Sequence, residues 1–178
     1  MKPKEHLNES GLYDYAIKAL GRRMRTEAEL RRLMLQRVEP GPRGDEVIRA
    51  VVTRLKGNGY LDDQSYAETY ARLRRENDKF GQRRVRQSLR QKGIAAAVVD
   101  KTIGDSYATT NEEELARQYL SRKHIPKPGN QKDTVRVMRR LVAAGFATGV
   151  IYKILRQWDI SEESLSALEN LDETETEE

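Results

Sequence analysis

Apolar residues recur along this chain at helical spacing, in short blocks that repeat. Val47, Ile48, Val51, Val52 and Leu55 form one stripe, and Val150, Ile151, Ile154, Leu155 and Trp158 form another. Val85, Leu89, Gly93, Val98, Val99 and Ile103 match Val137, Leu141, Gly145, Val150, Ile151 and Leu155, each pair 52 residues apart. A divergent first copy carries Leu30 and Met34 at the matching positions. A period of roughly fifty residues is the signature of repeat architecture. Upstream of each block lies a further short stripe: Tyr15, Ala16, Ala19 and Leu20; then Tyr66, Ala67, Tyr70 and Ala71; then Leu115, Ala116, Tyr119 and Leu120.

Nothing alternates with period two over a useful length, so the expectation is all-α. Helices are predicted near 12–23, 27–38 and 45–57, then 63–77, 82–92 and 95–104, then 112–123, 134–144 and 148–158. Thr26, Gly81 and Asp133, each four residues before a leading apolar position, are expected to cap the middle helices. Glu29 completes a capping box with Thr26. Gly57, Asn58 and Gly59 read as a stop signal, and all five prolines (Pro3, Pro40, Pro42, Pro126, Pro128) fall outside the periodic segments. The layout that follows is an elongated array of three tandem three-helix repeats, at 12–61, 62–107 and 108–160. A flexible amino terminus (1–11) precedes it and an acidic tail (161–178), expected to be disordered, follows it. Helices of about twelve residues are marginal alone, so each must bury a face on its neighbours.

Composition sharpens this picture. Charged residues make up 34% of the 178, so many helical faces must meet water. There is no cysteine, which excludes a disulfide framework, a thiolate metal site and a thiol nucleophile. No apolar run approaches the roughly 20 residues of a membrane span, and a cytoplasmic protein is expected. The net charge of +5 is uneven: from Ser161 onward there are eight acids and no Lys or Arg, leaving 33 basic residues against 20 acids elsewhere. A surplus of 13 positive charges draws the body toward polyanions or acidic protein surfaces, and the tail competes for the same face.

The densest basic cluster runs from Arg72 to Lys92: Arg72, Arg74, Arg75, Lys79, Arg83, Arg84, Arg86, Arg90 and Lys92, against Glu76 and Asp78. On a helix, Arg83, Arg86 and Arg90 lie within about 60° of one another, while Val85 and Leu89 point some 120° away. A solvated helix face is the plain alternative, but close like charges repel, and an anionic partner explains the stripe better. These three arginines are the candidate contact residues, with the other six as secondary candidates. Tyr15, Tyr66, Tyr70 and Tyr119 fall on the apolar stripes and are expected in the core rather than as base-stacking platforms; Tyr60 and Tyr107 are left open.

No catalytic constellation emerges. His6 and His124 have no evident acid, base or metal partner, and Asp62 and Asp63 precede a helix that they are expected to cap. No phosphate-cradling glycine loop follows a strand. Neither enzyme activity nor a cofactor or metal is expected.

Gly59-Tyr60-Leu61-Asp62-Asp63, Tyr66-Ala67, and Gly81 through Val85 and Leu89 to Lys92-Gly93-Ile94 resemble the signature of the RecX family, regulators of the RecA recombinase. The resemblance extends from about Tyr13 to Trp158, with Glu29-Leu30-Arg31-Arg32 early and Gly145-Phe146 late. It implies tandem three-helix repeats in a cytoplasmic bacterial protein that binds along RecA filaments on single-stranded DNA. It further implies modulation, usually inhibition, of strand exchange, ATP hydrolysis and repressor co-cleavage, and so a role in recombination, DNA repair and the SOS response; a monomer is expected. Ser88 departs from the Glu usual in the family, and the acidic tail and the Pro40–Arg43 segment also look particular to this chain. Two other readings stay open: a tandem three-helix DNA-binding module, for which Gln82, Gln87 and Gln91 are the base-reading candidates, and a helical-repeat scaffold for other proteins.

Overall fold

The structure is a computed structural model that describes residues 6–158 and 160. The expected tail and residues 1–5 of the expected flexible terminus lie outside the described residues. Among the described residues there are nine α-helices and no strand: α1 Glu9–Arg22, α2 Glu27–Leu35, α3 Pro42–Gly57, α4 Asp63–Leu73, α5 Gln82–Gln91, α6 Ala96–Tyr107, α7 Glu112–Arg122, α8 Gln131–Ala143 and α9 Thr148–Gln157. Each expected helix is present, and most differences lie at the ends.

Three starts come earlier than the apolar pattern indicates, each for a local reason. Asn8 caps α1 by accepting from the Gly11 N–H at 2.9 Å, which fixes the start at Glu9 inside the stretch expected to be flexible. Pro42, expected to lie outside the periodic segments, is the first residue of α3: at that position the missing N–H has no intrahelical partner to lose. Asn130, not Asp133, caps α8; Asn130 Oδ1 accepts from the Asp133 N–H at 2.9 Å, and Asn130 Nδ2 donates to Asp133 Oδ2 at 2.9 Å. Asp133 is the third residue of the helix, where a carboxylate answers the cap and the positive end of the helix dipole.

The fourth helix departs in kind. After Leu73 the chain forms a π-helical turn, Arg74–Asp78, closed by Lys79 in the left-handed region at φ 59°. The Phe80 N–H reaches back to the Arg74 carbonyl at 3.2 Å, and Arg74 pairs with Asp78 at 2.7 Å. The wider turn carries Phe80 onto the core below.

Packing divides the chain into two compact units, one of residues up to Tyr70 together with Ser88–Thr102, the other of Ala71–Gln87 together with residues from Ile103 onward. The first holds a core of Leu12, Ala16 and Ala19 from α1, Leu30 and Met34 from α2, and Ile48, Val51, Val52 and Leu55 from α3, closed by Val38 and Leu61. The second packs Leu115, Ala116, Tyr119 and Leu120 from α7, Val137, Met138 and Leu141 from α8, Phe146, and Ile151, Ile154 and Leu155 from α9. Phe80 and Tyr107 pack against it, with the Tyr119 ring 6.3 Å from Phe80 and edge-on to Phe146 at 5.9 Å. Each buried aliphatic side chain contributes about 1.5–3 kcal/mol, enough to hold helices that would not persist singly.

One device ends three helices. Gly59, Gly93 and Gly145 have φ of 72°, 80° and 89°, and at each the next N–H bonds back five residues: Tyr60 to Leu55, Ile94 to Leu89, and Phe146 to Leu141. This is the left-handed helix stop that glycine makes without steric cost. It bears out the stop expected at Gly57–Gly59. His124 takes the same role after α7 at φ 50°, which accounts for that histidine structurally.

Candidate functional site

The middle helices are tied at their ends, and the same tie is built once in each unit. In the first unit the buried Thr26 hydroxyl, already accepting from the Glu29 N–H at 3.1 Å, donates to the Lys92 carbonyl at 2.8 Å. A Cβ on Gly93 would come within 2.4 Å of the Ala28 Cβ. In the second unit the Gly81 N–H donates to the Ala144 carbonyl at 2.8 Å, and the Arg83 N–H donates to the Gly145 carbonyl at 3.2 Å. A Cβ on Gly145 would lie 2.3 Å from the Arg84 nitrogen, and one on Gly81 would lie 2.3 Å from the Gly145 oxygen. The amino end of one middle helix thus meets the carboxy end of the next middle helix. In the second tie N–H groups and carbonyls satisfy one another directly, in the first the Thr26 hydroxyl stands between the two ends, and in both opposite dipole ends face. Gly81 stands where a cap was expected, and the close backbone approach is what requires glycine.

These ties orient α5. Val85 and Leu89 are buried, leaving Arg83 and Arg90 exposed and Arg86 half-buried. No carboxylate occurs on α5 itself. Arg90 faces Asp100 at a long 3.5 Å, both more than half exposed, so water screens most of that attraction. Arg83 and Arg90 of the expected stripe therefore face water, while Arg86 between them is half-buried, with its Nε inside the fold.

The secondary candidates are mostly held within the fold, so the low acid count of this stretch understated its internal pairing. Arg72 and Arg75 meet Glu76 at 3.6 and 3.3 Å, Arg74 meets Asp78, and Arg75 also donates to the Ser106 carbonyl. Arg84 lies over the Phe80 ring at 3.8 Å and donates to the Ala143 carbonyl at 3.0 Å. Lys79 closes the π-helical turn. Lys92 is a structural cation: Nζ is 2.9 Å from Glu29 Oε1 and 5.6 Å from the centroids of Tyr66 and Tyr70, which stack on each other. Burial pushes the ammonium toward neutrality, but the Tyr66 and Glu29 partners outweigh it and hold its pKa above the usual value.

The carboxylates near this site cap and pair. Asp62 Oδ1 accepts from the N–H groups of Gln64 and Ser65 at 2.8 and 3.1 Å; with the Ser65 hydroxyl they hold its pKa low. Asp63 reaches across to accept the Glu27 N–H at 2.8 Å, so it caps α2 rather than its own helix; burial nonetheless raises its pKa. For Glu29, burial acts upward, but Lys92 and the Thr26 backbone act downward and prevail. Tyr66 and Tyr119 are buried, as expected of core tyrosines, and Tyr15 and Tyr70 are half-buried. Tyr60 is exposed, while the Tyr107 hydroxyl donates to the Phe80 carbonyl at 2.9 Å with its pKa raised by burial. Among the described residues, no three His, Cys, Asp or Glu side chains gather as a metal site would require, and no helix is long and apolar enough to cross a membrane.

Sequence reasoning missed a second basic face, on α8. Lys132, Arg136, Arg139 and Arg140 are all exposed there. A signal existed: Arg136 stands 52 residues after Arg84, but its neighbours answer Gln87 and Ser88, which carry no charge.

Comparison with known proteins agrees with this architecture. A sequence model for the second three-helix domain of RecX matches residues 62–103. The regulatory protein RecX of Myxococcus xanthus is 31% identical over 157 residues, covering 81% of this chain and 83% of its own length. That of Cronobacter sakazakii is 32% identical, covering 84% and 93%. Among solved structures, a crystal structure of regulatory protein RecX superposes with a TM-score of 0.70 at 23% identity, over 84% of this chain and 73% of that one. RecX from Lactobacillus salivarius gives 0.65 at 20% identity, over 85% and 96%. The two superpositions establish a shared all-helical fold.

Proposed function

This chain belongs to the RecX family, and we propose on that footing that it is a non-catalytic regulator that docks on RecA filaments formed on single-stranded DNA and opposes their activity. The observation that carries the reading to particular residues is the α5 face: Arg83, Arg86 and Arg90 share one side of a helix that bears no carboxylate of its own, within the segment that matches the family's second domain. Guanidinium groups in a row suit phosphate or a carboxylate-rich protein surface. On this reading the protein acts as a cytoplasmic monomer that needs no cofactor, and its three-helix repeats at 12–61, 62–107 and 108–160 carry contact surfaces rather than reaction centres. Strand exchange, ATP hydrolysis and repressor co-cleavage all require the filament, so one docking event reduces all three.

The test is RecA ATP hydrolysis on single-stranded DNA with this protein added below one copy per RecA subunit. Inhibition at such ratios supports docking with an effect that spreads from an end or along the groove. Unchanged hydrolysis at a molar excess overturns the reading.

A further inference from the structure

The second unit presents a surface that neither the α5 stripe nor the family match assigns. At 100° per residue, Lys132, Arg136, Arg139 and Arg140 fall on one side of α8 within about 100° of one another, and the buried Val137 and Leu141 lie on the other. Lys132, Arg136 and Arg140 follow one another at one-turn steps, each about 6 Å further along the helix axis. Asp133 is the only carboxylate on this helix; it touches Arg136 at a long 3.5 Å, with Arg136 exposed and Asp133 half-buried and held by Asn130. The four cations ring a shallow hollow of about 460 Å³ whose remaining lining is Val135 and Ala143. The Ala143 carbonyl in turn accepts from Arg84, so the charge of α5 reaches the edge of the same hollow within this unit.

We infer that this face of α8 binds the sugar-phosphate backbone of single-stranded nucleic acid, with Arg136, Arg139 and Arg140 on phosphates and the Val135–Ala143 floor beneath a base or sugar. Two features favour a nucleic acid over an acidic protein. The cations advance along the helix in even steps, as phosphates advance along an extended strand. An apolar floor beside a basic rim accepts the flat face of any base without reading sequence. The inference deepens the filament reading by adding a second contact surface, but the oligonucleotide titration that tests it contains no recombinase, so the two fail separately.

The full chain is titrated against a fluorescein-labelled oligodeoxythymidylate, with anisotropy read between about 50 and 200 mM salt. The Arg136→Ala, Arg139→Ala, Arg140→Ala triple variant is expected to bind about tenfold or more weakly at low salt. Its slope of log affinity against log salt is expected to be shallower by about 2, since each lost phosphate contact on a single strand removes about 0.7. The matching Arg→Lys triple variant keeps the slope. Should the alanine triple variant fail to melt cooperatively, each single substitution is expected to lower the slope by about 0.7. Equal affinity and slope for wild type and the folded alanine variants overturn the inference. So does loss of binding to RecA filaments with oligonucleotide binding unchanged, which would assign the face to protein.

Discussion

Gly145 shows how much a single residue carries. Its φ of 89° is one that residues with a side chain rarely adopt, and the space a Cβ would need is filled by the backbone of Arg84. Gly145→Ala is expected to lower stability by about 2–4 kcal/mol through strain and a clash that backbone cannot relieve. Gly149, near the start of α9 with open space around it, is the control: Gly149→Ala is expected to be neutral or to stabilise by up to about 1 kcal/mol. Urea melts of both variants decide the comparison. Glu29 offers a second test at this scale. Its pKa is held below the ordinary 4.5, so its contribution is fully present above that value and is lost as pH falls through the lower folded value. Glu29→Gln is therefore expected to lower the melting temperature at pH 7, with the deficit shrinking as acidification carries the solution below the ordinary carboxylate range. A deficit that stays constant with pH would show that shape, not charge, makes the contact with Lys92.

Among the elements, α5 is where composition and contact part company. Replacing the exposed Arg83 and Arg90 together by Glu is expected to weaken filament binding about tenfold at physiological salt, with a small change in melting temperature, because the buried Val85 and Leu89 and the half-buried Arg86 are untouched. Unchanged affinity across the salt range would remove α5 from the mechanism. The apolar stripes made the helices legible, since burial of one face sets their period, and the glycine stops were legible because a left-handed turn leaves few other choices. The π-helical turn was not: Arg74–Asp78 carries no apolar residue whose phase could reveal one extra residue in the turn. The pairing of Arg75 with the Ser106 carbonyl and of Lys92 with Glu29 was hidden for another reason, because both join positions distant in sequence. Charge counted along the chain treats such cations as available when the fold has already engaged them.

At the scale of the whole molecule, stability is organised by unit. Each unit has its own buried core, and each contains one end-to-end tie between middle helices. A chain with separate cores responds to damage locally, because each core opens in part by itself. Hydrogen exchange on the Gly145→Ala variant is expected to show faster amide exchange in α8 and α9, while α1, α2 and α3 keep wild-type protection. Uniform acceleration throughout the chain would mean that both cores melt as one.

The tie around Gly81 and Gly145 also bears on how such a chain can change over generations. Its bonds run between backbone atoms, and its one strict demand on composition is the absence of a side chain at the two glycines. A duplicated stretch of 52 residues would bring along both halves of its own connector, a donor end and an acceptor end, with no new chemistry to invent. Length is then a property that simple copying of DNA can adjust, and a lengthened descendant would start out with its joints already fitted.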